Sequence, residues 1–202
     1  MMIKAIIFDT GGVLLDYNTV WYYEYLAKKT GIPEKRVERA IVPLMTEMDI
    51  GKMTLDQMQR RAGRALGIAA SDVEWVNGLS KMAKPNRKVV NLLKGLSKHY
   101  KIFIFSNDTK SRYRFLARLM YGNLKREGYV KKVFASCYIG YAKPDRRAYL
   151  YVLRRLGAKP GEVLFIDNTK ANVDSAKKVG MQALLFTGYK RLAADMREFV
   201  HP

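Results

Sequence analysis

Four short apolar runs punctuate the chain, and each ends on a polar residue. KAIIF, residues 4–8, leads to Asp9. KIFIF, residues 101–105, leads to Ser106 and Asn107. EVLFI, residues 162–166, leads to Asp167 and Asn168, and ALLF, residues 183–186, leads to Thr187. Runs of four or five residues rich in Ile, Val and Phe suit strands buried on both faces of a parallel sheet. VFAS, residues 133–136, reads as a further short strand. Between these runs the apolar positions change to helical spacing. Val89, Val90, Leu92, Leu93 and Leu96 share one helical face, as do Ala148, Tyr149, Val152, Leu153 and Leu156 before the stop at Gly157. KANVDSAKKVG, residues 170–180, repeats the pattern and stops at Gly180. Strand alternating with helix predicts an α/β fold: a doubly wound, Rossmann-like parallel sheet with right-handed crossovers.

The interval between the first and second runs is too long for one crossover connection. It reads as helices alone. NTVWYYEYLAKKTG, residues 18–31, opens on an Asn or Thr cap and closes on Gly31. Residues 34–48 form a longer helical run whose Pro43 is expected to bend or split it. TLDQ at 54–57 and SDVE at 71–74 match the capping-box pattern, each expected to open a helix. The organisation expected is therefore a core of residues 1–16 and 86–202, with an all-helical insert over 17–85 and Pro85 at its exit. No internal repeat or low-complexity tract interrupts it.

In doubly wound sheets, ligands bind beyond the carboxyl ends of the strands. Asp9, Ser106 and Asp167 all fall there, so three polar side chains from distant segments should converge. Taken singly, each has a plainer reading. An Asp at a strand end often caps a turn, Ser106-Asn107-Asp108 is an ordinary turn, Lys143 before Pro144 is a surface lysine, and Asp167 could cap the helix near Lys170.

Their order along the chain changes the weighing. FDTGGVL, FSND, KPDRRAY and FIDNTKANVDSAKKVGM, in that sequence, resemble the four motifs of the haloacid dehalogenase-like hydrolases, in particular the helical-cap phosphatases whose first motif reads D-x-G-[GN]-V. The insert after the first motif resembles that family's cap, and DIGKMT, residues 49–54, resembles a turn often seen in such caps. The resemblance implies that Asp9 is a nucleophile that forms an aspartyl-phosphate, splitting one hard hydrolysis into two easier steps. It implies magnesium (Mg2+) as cofactor, held by Asp9, the main-chain carbonyl of Gly11, and Asp167 with Asn168, with Asn172 helping to hold the metal site. Ser106 and Asn107 would meet the phosphoryl oxygens, and Lys143 would join phosphate to nucleophile as a point charge.

Two positions depart from the family pattern. Gly11 stands where most of these phosphatases carry an Asp as general acid and base, help worth about 10²- to 10⁴-fold in rate, so a slow enzyme is expected. Asp16 is the next carboxylate along the chain. It is a candidate to assist catalysis or bind substrate, against the plainer reading that it starts the cap hinge. Asn168 replaces a second Asp, which predicts weaker magnesium binding.

Charge widens the field. The 202 residues carry 37 basic and 18 acidic side chains, a net charge of +19. The basic residues are spread along the chain without a nucleic-acid motif, which predicts non-specific polyanion binding at low salt. A catalytically impaired scaffold or nucleic-acid binder is thus the competing reading. A dehalogenase attacking carbon is a further one, disfavoured because those enzymes carry a bulky Tyr where Gly11 stands. The lone Cys137 reads as a small core residue, and Arg60, Arg61 and Arg64 as a solvated helix face. Trp21, Tyr22, Tyr23 and Tyr25 read as cap core rather than a sugar platform. No apolar run approaches a membrane span, and the N-terminus does not match a signal peptide, so a cytoplasmic monomer acting on a small phosphorylated substrate, with no membrane partner, is expected.

Overall fold

The structure is a computed structural model that describes residues 2–16, 19–74 and 83–200. Its centre is a five-stranded parallel sheet in the order β5-β4-β1-β6-β7. The strands are β1 (Ala5–Phe8), β4 (Lys101–Ser106), β5 (Lys132–Ala135), β6 (Val163–Asp167) and β7 (Gln182–Leu185). All four apolar runs supply strands of the sheet, and of VFAS residues 133–135 lie in β5 while Ser136 opens the following helix. β1 is central, pairing Ala5 with Lys101 on one side and with Val163 on the other. Every residue of β1 and β6 is buried. Alternation explains why these runs are apolar throughout: Ile6 and Phe8 enter one core layer, while Ala5 and Ile7 enter the other.

Helices cover both faces. Those of the core are α4 (Arg87–Leu96), α5 (Lys110–Leu116), α6 (Gly122–Arg126), α7 (Ser136–Ile139), α8 (Arg146–Leu156), α9 (Lys170–Lys178) and α10 (Tyr189–Asp195). A π-helical turn, Ala117–Tyr121, joins α5 to α6. Ala148, Tyr149, Val152 and Leu153 of α8 are buried, on the face its periodicity marks.

Among the described residues, three helices, α1 (Thr19–Thr30), α2 (Glu34–Asp49) and α3 (Leu55–Leu66), fall between two very short strands, β2 (Leu15–Asp16) and β3 (Lys84–Pro85). These strands pair antiparallel, Leu15 with Pro85 and Asp16 with Lys84, making a ribbon at the neck of the helical segment. Thr54 opens α3 with the capping box its sequence announces: its Oγ1 accepts from Gln57 N at 3.2 Å, and its own N–H donates to Gln57 Oε1 at 3.0 Å. Two expectations change. Pro43 lies inside α2 without splitting it, because buried Val37, Ile41 and Met48 hold the helix on both sides of it. SDVE opens no α-helix by residue 74; Ala70–Val73 form a 3₁₀ turn, and residues 75–82 lie outside the described residues. Among the described residues, no helix is long and apolar enough to cross a membrane.

Candidate active site

The carboxyl ends of β1, β4 and β6 meet at one rim, and there the chain buries charge. Asp9 follows β1 directly, and its N–H donates to Ile166 O at 2.8 Å, so the backbone of β6 fixes it. Lys143 enters from the segment between α7 and α8. Its Nζ lies 2.5 Å from Asp9 Oδ1 and 2.7 Å from Asp167 Oδ2, and donates to Phe105 O at 2.9 Å. The Lys143 side chain is 2% exposed. Burial pulls the Lys143 ammonium towards neutrality, but Asp9 and Asp167 push it further the other way, and it ends above the ordinary lysine range. The ammonium is therefore a permanent charge.

One ammonium cannot satisfy two buried carboxylates. Burial pushes the Asp9 carboxyl up to about 6, against the pull of Lys143, and the neighbouring Asp167 adds to the rise. The rim is short of positive charge. Asp167 is locked in place: its Oδ1 accepts from Thr169 N at 2.8 Å, and Asn172 Nδ2 donates to both its oxygens, at 3.1 and 3.0 Å. Asn172 thus spends its donor on Asp167.

The Gly-Gly turn after Asp9 has a steric cause. Gly12 has φ +79°, and a Cβ there would lie 2.3 Å from Asn168 Nδ2, so Asn168 occupies the space that a side chain would need. The turn is closed by Leu15 N donating to Thr10 O and Gly12 N donating to Leu15 O, both at 2.8 Å.

Of the oxygens expected to hold a cation, those of Asp9, Gly11 and Asn168 belong to residues that line the cavity, and Asp167 lies buried behind them. That hard-oxygen set suits magnesium, which takes few protein ligands and keeps several waters. Among the described residues, no three His, Cys, Asp or Glu side chains cluster as a self-sufficient metal cage. The charge shortage at Asp9 is what a divalent cation would relieve.

Ser106, 1% exposed, ends β4. Asn107 faces sideways rather than only into the site. Its Nδ2 donates to Lys143 O at 2.8 Å and its Oδ1 accepts from Lys143 N at 2.9 Å, clamping the lysine's backbone from a separate loop. Behind them lies a buried polar chain. Thr10 Oγ1 and Tyr121 Oη are 2.7 Å apart, Tyr121 Oη donates to Asp108 Oδ2 at 3.2 Å, and Arg112 Nε lies 3.2 Å from Asp108 Oδ1. The last contact is an ion pair without hydrogen-bond alignment.

These groups open onto a cavity of about 540 Å³ lined by Asp9, Gly11, Ser106, Asn107, Lys143, Asn168 and Asn172. Asp16 also lines it, from an exposed position on the ribbon. The helical segment contributes Trp21, Met45 and Asp49, and α5 contributes Arg112. Of the aromatic group, Tyr22 and Tyr23 are buried, whereas Trp21 is 39% exposed at the cavity. Sequence reasoning passed over Asp49 and Arg112; their signals were the DIGKMT turn and the KSRYR run. Cys137 is buried and its thiol is pushed up to about 12, chiefly by burial, as a core residue requires.

The chain matches the model of the family described as haloacid dehalogenase-like hydrolase over residues 3–180. It is 25% identical over 201 residues to a sesquiterpene phosphatase of Aspergillus oryzae, covering 98% of this chain and 96% of that protein. Its fold superposes on that of a haloacid dehalogenase (HAD)-like family hydrolase from Porphyromonas gingivalis with a TM-score of 0.82, at 25% identity and 100% coverage of both chains. A HAD family enzyme of Bacteroides thetaiotaomicron, crystallised with magnesium and inorganic phosphate, superposes with a TM-score of 0.76 at 21% identity, over 91% of this chain and 93% of that one. With the family model spanning nearly all of the sheet and its rim, this chain belongs to the haloacid dehalogenase-like hydrolases.

Proposed function

We propose that the protein is a magnesium-dependent phosphatase that hydrolyses a small phosphorylated metabolite through an aspartyl-phosphate on Asp9. The observation that carries this reading is the buried ammonium of Lys143 held between Asp9 and Asp167 beside a cavity of about 540 Å³. That volume lies in the range of small-molecule sites. The phosphatase named among the relatives and the magnesium and phosphate in the Bacteroides enzyme support it.

In this reading Asp9 attacks phosphorus and accepts the phosphoryl group. Lys143 stays charged and draws the phosphoryl oxygens towards Asp9 as negative charge spreads over them. Ser106 offers a hydroxyl at the same rim, and Asn107 keeps Lys143 in register. Asp9, the Gly11 carbonyl, Asp167 and Asn168 would hold the magnesium, with Asn172 orienting Asp167. When bound, the ion supplies the positive charge that lets one anion approach another. Gly11 brings no carboxyl to the leaving group, so turnover is expected to be slow unless another group supplies the proton.

The test is phosphate release from a panel of phosphorylated metabolites with magnesium or with chelator. Release that needs magnesium and disappears in Asp9→Asn supports the reading; release that survives Asp9→Asn refutes it.

The net charge of +19 supports a second reading, a family member that binds polyanions and has lost its chemistry. Here the expected result is RNA affinity falling steeply and linearly in log–log with salt, and no magnesium-dependent release of phosphate.

A further inference from the structure

Three carboxyls other than Asp167 border or line the cavity region: Asp9, Asp16 and Asp49. Asp9 is committed as nucleophile. Asp16 is exposed on the ribbon. Asp49 is different. It is the last residue of α2, half-buried, and reaches the cavity from the helical segment.

Its position is enforced. Gly51, two residues on, has φ +75°, and a Cβ there would lie 2.7 Å from Cys137 O of α7. The turn after Asp49 therefore sits directly on core backbone, and only glycine permits that approach. The charged groups facing Asp49 are Arg112 from α5, Lys143 from the rim and Asp108 beyond β4.

We propose that Asp49 is the general acid and base of the reaction, in place of the carboxyl missing at Gly11. This inference rests on the phosphatase reading. In the first step the Asp9 carboxylate forms an O–P bond, the ester P–O bond breaks, and the Asp49 carboxyl passes its proton to the departing alkoxide, which leaves as an alcohol. In the second step water attacks phosphorus, the Asp9 O–P bond breaks, and the Asp49 carboxylate takes the water's proton. Asp9 carboxylate, inorganic phosphate and protonated Asp49 result, so the site is reset. Such a role needs a group that holds a proton in one step and lacks it in the next near neutral pH. Burial pushes the Asp49 carboxyl up to about 7, Arg112 and Lys143 pull it down, and Asp108 raises it. The thiol of Cys137, under Gly51, remains protonated there.

The experiment compares two esters with magnesium present. Beta-glycerophosphate has an alkoxide leaving group that needs a proton; p-nitrophenyl phosphate has one that does not. Asp49→Asn is nearly isosteric and is checked for an unchanged fold by circular dichroism. It is expected to slow beta-glycerophosphate hydrolysis by about 10²- to 10⁴-fold. With p-nitrophenyl phosphate it should give a rapid burst of one p-nitrophenolate per site, followed by slow turnover, because Asp9 is still phosphorylated while its hydrolysis has lost the base. Asp49→Glu should recover part of the rate. Equal slowing of both esters without a burst, or no slowing of either, overturns the proposal and leaves the phosphatase reading intact. The burst signature in Asp16→Asn instead of Asp49→Asn also overturns it. A wild-type protein that releases phosphate from neither ester, nor from any member of the metabolite panel, overturns both.

Discussion

Gly51→Ala measures how firmly the helical segment is seated on the core, and Gly67→Ala supplies its control. Both glycines have φ +75°, but a Cβ at Gly51 meets Cys137 O at 2.7 Å, whereas at Gly67 it meets nothing within 4 Å. The backbone cost of alanine is thus common to the two. A left-handed residue other than glycine costs about 1–2 kcal/mol, and the stiffer unfolded chain returns about 0.4–1 kcal/mol. Gly67→Ala should therefore lose roughly 1 kcal/mol. At Gly51 the neighbour is main chain and cannot rotate away. The turn must shift by several tenths of an ångström, an overpacking cost of about 1–3 kcal/mol. Gly51→Ala should therefore lose about 2–4 kcal/mol. Urea unfolding of the two variants, at unchanged m-value, reads the difference directly. The same shift moves Asp49, so Gly51→Ala should also slow hydrolysis of alkyl phosphates while Gly67→Ala does not. Equal loss of stability in the two variants would refute the claim that the turn rests on Cys137.

Three further outcomes follow from the rim. Lys143→Met leaves the buried carboxylates of Asp9 and Asp167 without their shared ammonium, and calorimetry should show about 3–5 kcal/mol less stability, with phosphate release lost. Asn172→Ala removes the amide that donates to both Asp167 oxygens; isothermal titration should show magnesium affinity falling about 10- to 100-fold, with Asp9 and Lys143 intact. Asp49 carries a proton up to about pH 7 when folded, against an ordinary value of 3.8. The folded state then holds the extra proton, so its stability is lost as pH rises through that window. Asp49→Asn should accordingly melt higher, relative to wild type, at pH 8 than at pH 4, and a difference independent of pH would refute the assignment.

The strands and the rim were legible because one physical requirement wrote both. A central parallel strand must be apolar on both faces, so Ala5–Phe8 and Val163–Asp167 stand out, and the first polar residue beyond each lies where the sheet ends. Asp9, Ser106 and Asp167 were found in that way. Asp49 was not, because its approach to the rim depends on Gly51 meeting Cys137, a contact between segments far apart in the chain. Arg112 was hidden for a different reason: among 37 basic residues, the KSRYR run does not mark which one turns inward to Asp108. The aromatic run divided by a single residue, Tyr22 and Tyr23 inward and Trp21 outward, which periodicity alone could not decide. Pro43 failed to break α2 because tertiary packing outweighed its local effect.

The pair of hydrogen bonds between the Asn107 amide and the main chain of Lys143 has an evolutionary corollary. The loop bearing the lysine is anchored by its peptide group, independently of the side chain it displays. A lineage could exchange the ammonium for another head without rebuilding the loop. The path of the loop would survive such an exchange, while the buried carboxylates of Asp9 and Asp167 would need a compensating partner.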